Sequence, residues 1–205
     1  RHLLDLVMKN LLESYASAFS ISAFEKQLKG HGLAGSKRSI ADYLRFLEEA
    51  FFLIVIEKFD FSPRKRMMNP KKVYLMDTGF SLLGGAFVEN RGRLLENIVA
   101  IELVRKRCRV MYFKSKGECD FIVREGAKPK EAWQVCWEVG RVSEKREING
   151  LAAAHRELGI KKGGILTYNQ EGTQTLARAK IPLFPVWKWL LGVPHRGISG
   201  LSSLS

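Results

Sequence analysis

The spacing of apolar residues changes near Gly92, and this change constrains the fold more than any other feature of the chain. Before Gly92, three segments show apolar residues at helical spacing, and two short apolar runs follow them. After it, short runs rich in β-branched and aromatic residues alternate with two helical patterns. The sequence therefore predicts an α/β protein with domains over residues 1–91 and 92–193 and a disordered tail over residues 194–205.

Capping signals place the helices of the first domain. Helices are predicted over residues 3–17, from residue 22 onward, and over residues 37–50. Ser22 and Glu25 form an S-x-x-E capping box for the second helix, and Ser36 is the expected N-cap of the third. The buried face of the third helix is expected to comprise Ile40, Leu44, Leu47 and Phe51.

A basic hairpin is predicted after these helices. Strands are expected over residues 52–59 and 73–76, with the run SPRKRMMNPKK (62–72) as the turn between them. Three helices followed by a basic hairpin is the order of a winged helix, whose third helix enters the major groove of DNA. The residues expected to contact nucleic acid are Lys37, Arg38, Ser39, Arg64, Lys65, Arg66, Lys71 and Lys72. A solvated charged loop is the alternative interpretation.

The overall charge supports a polyanionic partner. The net charge is +13, which favours nucleic acid first and an anionic membrane second. No apolar stretch reaches the ~18 residues of a membrane span, so no membrane partner is expected. Residues 30–39 resemble a phosphate-binding loop, but the lysine is one place late and the segment follows a helix, so no ATP site is predicted there.

Cysteine and histidine usage argues against a zinc site. Cys108, Cys119 and Cys136 form no CxxC pair, and the four histidines are scattered. An odd number of cysteines fits a reducing compartment, so we expect a cytoplasmic protein whose three thiols are small buried apolar side chains.

The second domain is predicted to follow the order α-β-β-β-α-β. Its helices are expected over residues 94–107 and 144–159, and its strands over residues 110–114, 119–124, 132–138 and 164–168, with a further strand at 181–186. This order resembles the restriction-endonuclease-like core of the PD-(D/E)XK nuclease superfamily. Active members hold Mg²⁺ with carboxylates on the helix and two strands, and a lysine positions the nucleophile.

The resemblance places four residues at the nuclease positions. They are Glu96 on the helix, Asp120 on the second strand, and Gln134 and Cys136 where an active enzyme has E-x-K. An amide replaces the carboxylate and a thiol replaces the ammonium, so the domain is expected to be degenerate and inactive, with no bound metal. If a metal is bound, Glu96 and Asp120 are its expected ligands. Lys114 and Lys116 are close enough in sequence to Asp120 to leave an active Mg²⁺-dependent endonuclease as an alternative.

Five segments, read in order, carry a more specific resemblance: NPKKVYLMDTGF (69–80), GRLLENIVAIEL (92–103), ECDFIV (118–123), WQVCWEV (133–139) and KREINGLAAAHRELG (145–159). They are similar to the C-terminal half of an archaeal and bacterial family of AAA-type ATPases. The resemblance implies a preceding ATPase domain that holds ATP, then a winged helix, then a nuclease-like domain of unknown function.

These observations favour a non-catalytic module that couples an ATPase to double-stranded DNA. A module that docks on its own ATPase domain is a second alternative, since the aromatic residues Phe184, Trp187 and Trp189 could form a protein-binding surface. A hydrophobic seal on the sheet is the interpretation we favour for those three side chains.

Overall fold

The computed structural model describes residues 2–84, 90–140, 144–176 and 179–193, with only the backbone of residues 144–147, 175, 176 and 179. The protein is mixed α/β. Its chain divides into two units, Arg1–Ile101 and Glu102–Ser205. The division falls within a helix, later than the expected boundary at residue 91. The expected tail at 194–205 lies outside the described residues.

The first unit is built from helices and a three-stranded antiparallel sheet. Its elements are α1 (His2–Ser14), β1 (Ser17–Phe19), α2 (Ile21–Gly30), α3 (Lys37–Glu49), β2 (Leu53–Lys58), α4 (Pro63–Met68), β3 (Lys71–Leu75), a 3₁₀ helix η1 (Thr78–Gly84) and most of α5 (Arg91–Arg105). The strand order is β1-β3-β2. Val73 in the middle strand lies opposite Ser17 on one side and Val55 on the other.

Strand β1 was not predicted from the sequence. The helix expected to reach residue 17 ends at Ser14, and Ala16 has a positive φ of 54° that reverses the chain. The Ser22–Glu25 capping box is also wrong, because α2 begins at Ile21 and the Ser20 hydroxyl accepts the N–H of Ala23 at 3.3 Å. The helical spacing of apolar residues continues to Tyr15, but residues 17–19 form a strand because they pair with β3.

Helix α3 was predicted with its cap and its buried face. The Ser36 hydroxyl accepts the backbone N–H of Ser39 at 3.1 Å, which confirms the N-cap. Phe51 is the exception to the expected face. The helix ends at Glu49, and Phe51 has a φ of 55° and is 73% exposed.

The predicted turn over residues 62–72 contains the helix α4. Ser62 caps it, with Pro63 in its first turn, where the missing proline N–H costs no hydrogen bond. Strand β3 then begins at Lys71, two residues earlier than expected. The predicted pairing of the two strands is confirmed, since β2 and β3 are antiparallel, but their connection contains a short helix where a turn was expected.

The second unit contains a six-stranded mixed sheet. Its elements are β4 (Arg109–Lys114), β5 (Glu118–Glu125), β6 (Lys128–Cys136), α6 (Glu144–Leu158), β7 (Lys162–Thr167), β8 (Gly172–Leu176), β9 (Ala179–Pro185) and α7 (Val186–Leu190). Strands β4, β5 and β6 are antiparallel, β6, β7 and β9 are parallel, and β8 is antiparallel to β9. The predicted order of three strands, a helix and a strand is confirmed. Strand β8 and helix α7 were missed.

Helix α6 packs very closely on the sheet. A Cβ atom added at Gly150 would lie 1.9 Å from the carbonyl oxygen of Glu118. Glycine is therefore required for the helix backbone to approach β5 at this distance. The apolar core beneath the helix includes Ile122, Leu151 and Ile165. No helix in the described part of the chain is long and apolar enough to cross a membrane.

Candidate functional site

The start of α3 presents two of the predicted cations at the surface. The Lys37 side chain is 60% exposed, and its ammonium lies 4.0 Å from the carboxylate of Glu25. Arg38 is exposed and has no ion-pair partner among the described residues. Ser39 is engaged in the cap, because its hydroxyl lies 3.0 Å from that of Ser36. Lys37 and Arg38 remain the side chains at this helix end that can reach a phosphate.

Helix α4 presents two further cations. Arg64 and Lys65 are exposed, and neither forms an ion pair within the described ranges. Arg66 is held differently, since its guanidinium donates to the carbonyl oxygen of Asp60 at 2.9 Å. Of the three predicted cations on α4, Arg64 and Lys65 are therefore exposed, whereas Arg66 stabilises the preceding turn.

Lys71 and Lys72 are committed to partners inside the first unit. The Lys71 ammonium donates to the Glu57 carboxylate and to the carbonyl oxygen of Arg66, both at 2.7 Å. The Lys72 side chain is 3% exposed and donates to Glu96 at 3.0 Å. The physical reason is that side chains alternate between the two faces of a strand. Lys72 therefore shares a face of β3 with Tyr74, and both bond Glu96 of α5. Its burial removes Lys72 from the side chains that can reach a phosphate.

Glu96, one of the predicted nuclease positions, is the partner in this interior network. Its carboxylate accepts from the Tyr74 hydroxyl at 2.7 Å as well as from Lys72. The neighbouring Asn97 side chain bonds both the N–H and the carbonyl oxygen of Leu75, at 2.8 and 2.9 Å. Within the first unit, Glu96 thus joins α5 to β3 through a charge-assisted hydrogen-bond pair.

The Asp120 and Gln134 side chains each accept a backbone N–H from the neighbouring strand. Asp120 is 5% exposed, and its carboxylate accepts the backbone N–H of Val135 at 2.9 Å. The Gln134 side-chain oxygen accepts the backbone N–H of Asp120 at 3.3 Å. The two side chains continue the β5–β6 pairing beyond Phe121 and Trp133 with side-chain-to-backbone bonds. Both residues lie on the strands predicted for them, Asp120 on β5 and Gln134 on β6.

The donor set in the second unit does not fit Mg²⁺. One oxygen of Asp120 is engaged by a backbone N–H, and Gln134 offers a neutral oxygen that already accepts one. Cys136 is half-exposed, and its thiol donates to the carbonyl oxygen of Glu138 at 3.0 Å. A soft thiol is a poor ligand for a hard cation that prefers several oxygens. Among the described residues, no group of three or more His, Cys, Asp or Glu is placed to hold a metal.

The cysteines are less uniform than expected. Cys119 is buried, as predicted, whereas Cys108 and Cys136 are only partly buried. Burial raises the pKa of the Cys108 thiol, with the nearby Glu131 carboxylate adding to the effect. Such a thiol is protonated and unreactive at neutral pH.

Aromatic side chains gather where the parallel strands of the second unit end. Phe184 and Trp189 are each 1% exposed, which confirms that they seal the sheet, whereas Trp187 is 48% exposed. Trp137 and Tyr168 follow β6 and β7 and stack with ring centres 4.1 Å apart. No sequence pattern predicts this stacked pair, because Trp137 and Tyr168 are brought together by the parallel pairing of β6 and β7.

An exposed apolar group accompanies the cations of α4. Phe61, Met67 and Met68 are 79%, 77% and 80% exposed. Met67 and Met68 lie three and four positions after Arg64, so the three side chains share one side of the helix. The sequence predicted a turn here, and a turn does not imply that these side chains share one side. The helix α4 brings them together.

Comparison with known proteins finds two relatives that are themselves uncharacterized. A protein of Methanocaldococcus jannaschii is 30% identical over 199 residues, covering 90% of this chain and 44% of the relative. A protein of Haemophilus influenzae is 30% identical over 129 residues, covering 60% of this chain and 32% of the relative. The chain thus spans less than half the length of both relatives. No family model matches the chain, and no solved structure matches it significantly.

Proposed function

We propose that the first unit is a winged helix that binds double-stranded DNA, and that the second is a nuclease-like domain that does not hydrolyse it. The element order α1-β1-α2-α3-β2-β3 and the strand order β1-β3-β2 support the winged-helix assignment. Helix α3 is then the recognition helix and α4 takes the place of the wing. The three antiparallel strands, crossover helix and parallel strand of the second unit support the nuclease-like fold.

One observation carries the DNA-binding proposal. Among the predicted cations, those that stay exposed lie on the two elements that a winged helix presents to DNA. They are Lys37 and Arg38 at the start of α3 and Arg64 and Lys65 on α4. Phosphates are bound through exposed Lys and Arg side chains, which release counterions from the duplex. Sequence preference is left open, because no side chain identifies itself as a base reader.

The proposal includes an ATPase partner in the full-length protein. Both relatives are more than twice as long as the region that matches this chain. The resemblance of five segments to AAA-type ATPases supports the proposal that the remainder contains an ATP-binding domain. This chain would then couple nucleotide turnover in that domain to duplex DNA.

The residues of β6 support the proposal that this domain does not hydrolyse DNA. Position 136 holds a thiol where a nuclease needs a cation, and the Gln134 and Asp120 side chains are bonded to strand backbone. A thiol cannot supply the positive charge that offsets the developing charge on phosphate. We therefore propose that these positions hold β5 and β6 together and take no part in chemistry.

Fluorescence anisotropy with a 20-base-pair duplex at two salt concentrations tests DNA binding. We expect Arg64→Glu/Lys65→Glu to weaken binding and to lower the log–log salt slope by about 1.8, since each lost phosphate contact removes about 0.9. Lys114→Glu/Lys116→Glu is the control, because it makes the same charge change at the end of β4 and in the turn that follows. Lys114 pairs with Glu118 at 2.9 Å, so circular dichroism must first show that this variant is folded. Equal effects of the two variants would show that net charge alone drives binding.

Plasmid DNA incubated with Mg²⁺ or Mn²⁺ tests the nuclease assignment. We expect no cleavage above that of Asp120→Ala. Cleavage by the native chain that disappears in Asp120→Ala would show that a working site forms despite Gln134 and Cys136.

A further inference from the structure

The positive charge of this chain is concentrated in its second unit. Residues 1–101 contain 15 Lys and Arg against 11 Asp and Glu, whereas residues 102–205 contain 19 against 10. The proposed winged helix therefore carries the smaller part of the net charge. The nuclease-like unit has an excess that its proposed inactive site does not explain.

Strand pairing gathers many of these cations at one edge of the sheet. Strands β4, β6, β7 and β9 all begin at this edge, and β5 ends there. Six cations lie at or just before those strand starts, and we call them the basic edge: Arg107, Arg109, Lys128, Lys161, Lys162 and Lys180. From β4 to β9 the edge spans about 19 Å, given strand spacings of about 4.8 Å.

All six side chains of the basic edge are exposed, and none has an ion-pair partner in the described ranges. The two carboxylates at the same edge are already engaged. Glu125 is paired with Lys130 at 2.7 Å, and Glu131 accepts the indole N–H of Trp133 at 3.0 Å. Glu125 lies opposite Lys128 and Glu131 lies opposite Lys162 in the strand registers, so the two carboxylates offset part of the charge. The six cations still outnumber them, and the edge keeps a positive excess.

The edge also contains an arrangement that opposes folding. Arg109 lies directly opposite Arg124 in the β4–β5 register. Like charges in directly opposed positions destabilise an antiparallel pair. Lys128, across the β5–β6 turn, lies opposite Glu125, which is a favourable pairing. The opposition of Arg109 and Arg124 is therefore the unfavourable element of this edge, and a bound polyanion would relieve it.

We propose that the basic edge is a second binding surface for the sugar–phosphate backbone of duplex DNA. The inference rests on the proposed function and extends it to the nuclease-like unit. The edge binds phosphates without reading bases, because its cations lie at strand ends and the β5–β6 turn there has only Gly126 and Ala127 between the strands, neither of which can hydrogen-bond a base through its side chain. A span of about 19 Å matches several phosphates along one strand of a duplex, at 3.4 Å of rise per nucleotide.

The position of the edge separates DNA binding from the nuclease positions. Gln134 and Cys136 lie at the end of β6, and Asp120 lies near the start of β5, so all three occupy the opposite end of these strands. Lys128 lies six residues before Gln134 on β6, and Lys162 lies opposite Glu131, three residues before Gln134. These offsets correspond to roughly 20 Å and roughly 10 Å at about 3.3 Å per residue. Phosphates bound at the basic edge would therefore lie beyond contact distance of Gln134 and Asp120. The unit therefore retains affinity for DNA while its degenerate residues stay away from the phosphates.

The test compares three double variants of the whole chain by fluorescence anisotropy with a 20-base-pair duplex. The edge variant is Lys128→Glu/Lys162→Glu, the first-unit variant is Arg64→Glu/Lys65→Glu, and the control is Lys114→Glu/Lys116→Glu. We expect the edge variant to weaken binding roughly tenfold or more and to lower the salt slope by about 1.8, independently of the first-unit variant. Circular dichroism spectra that match the native chain establish that each variant is folded.

The outcomes separate the two proposals. If the first-unit variant loses affinity and the edge variant behaves like the control, the basic edge is rejected and the winged-helix proposal stands. If only the edge variant loses affinity, the edge is supported and the first unit is rejected as the DNA contact. If the native chain binds no duplex at low salt, the proposed function fails. Binding instead to phosphatidylserine vesicles, lost in the edge variant, would assign the edge to a membrane surface and overturn the DNA inference.

Discussion

The lysines of β3 and the cations of the basic edge show two opposite uses of positive charge. Lys71 and Lys72 are adjacent in a strongly basic run, yet both are bonded to carboxylates of their own unit. Arg109, Lys128 and Lys162 are far apart in sequence, yet neighbouring strands present them, unpaired, along one edge. A cluster in sequence and a cluster in space are thus different sets of residues.

Buried and exposed cations also differ in what they cost the folded chain in free energy. A buried cation needs a partner, because removal from water costs several kcal/mol per ion. Lys72 has such partners in Glu96 and the surrounding network, so its charge supports folding. Exposed cations need no partner, and their charge is available to a ligand. Four predictions test how polar and charged side chains depend on their burial and their partners, from the largest expected effect to the smallest.

Replacing Lys72 with methionine should be the most damaging change. It leaves the largely buried Glu96 carboxylate without its ammonium, and the loss from breaking a buried pair is about 3 kcal/mol or more. Urea denaturation of the whole chain measures the change, with Lys71→Met as a control of smaller effect, about 1 kcal/mol, since the Glu57 partner is 43% exposed. A stable Lys72→Met variant that loses DNA affinity would reverse our assignment of Lys72.

Asp120→Ala should destabilise the second unit by about 2 kcal/mol, because the buried N–H of Val135 loses its acceptor. Asp120→Asn keeps an acceptor oxygen in the same place and should restore most of the loss. The urea midpoints of the two variants report the difference. A catalytic carboxylate predicts another result, namely a variant at least as stable as the native chain.

Arg109→Thr should stabilise the chain by about 0.5 kcal/mol, since it relieves the repulsion of Arg124 across the β4–β5 pair. The same substitution should weaken duplex binding at low salt. Thermal denaturation and anisotropy on one protein preparation measure both effects. A loss of stability would mean that the two guanidinium groups do not repel each other in the folded chain.

The smallest effect on the free energy of unfolding is expected from His155, whose imidazole is partly buried. Burial lowers the pKa of His155 below its usual 6.5, and no acceptor for its buried Nε2 atom exists among the described residues. Below pH 6.5 the unfolded chain binds the proton more readily than the folded chain, so the free energy of unfolding falls as the pH is lowered towards the folded pKa. His155→Gln should lose this component, as seen by comparing urea midpoints at pH 7.5 and 5.5. An unchanged pH dependence would place the imidazole in water.

Local signals predicted much of the fold, and long-range pairing accounts for what they missed. The cap and buried face of α3 depend on residues within a few turns, and both were predicted except for Phe51. Strand β1 was missed because its three residues pair only with β3, more than fifty positions away. At the candidate site, Asp120 and Gln134 could be placed on their strands, but their bonds to strand backbone depend on the β5–β6 register.

The sequence by itself determined the position of α3, the order of three strands, a helix and a strand in the second unit, the positive charge, and the replacement of E-x-K by Gln134 and Cys136. These properties depend on residue identity and on spacing along one segment. The tertiary structure alone decided that Lys72 is an interior ion-pair partner and that the basic edge exists. The reason is that burial and cross-strand neighbours are set by contacts between residues that are distant in sequence.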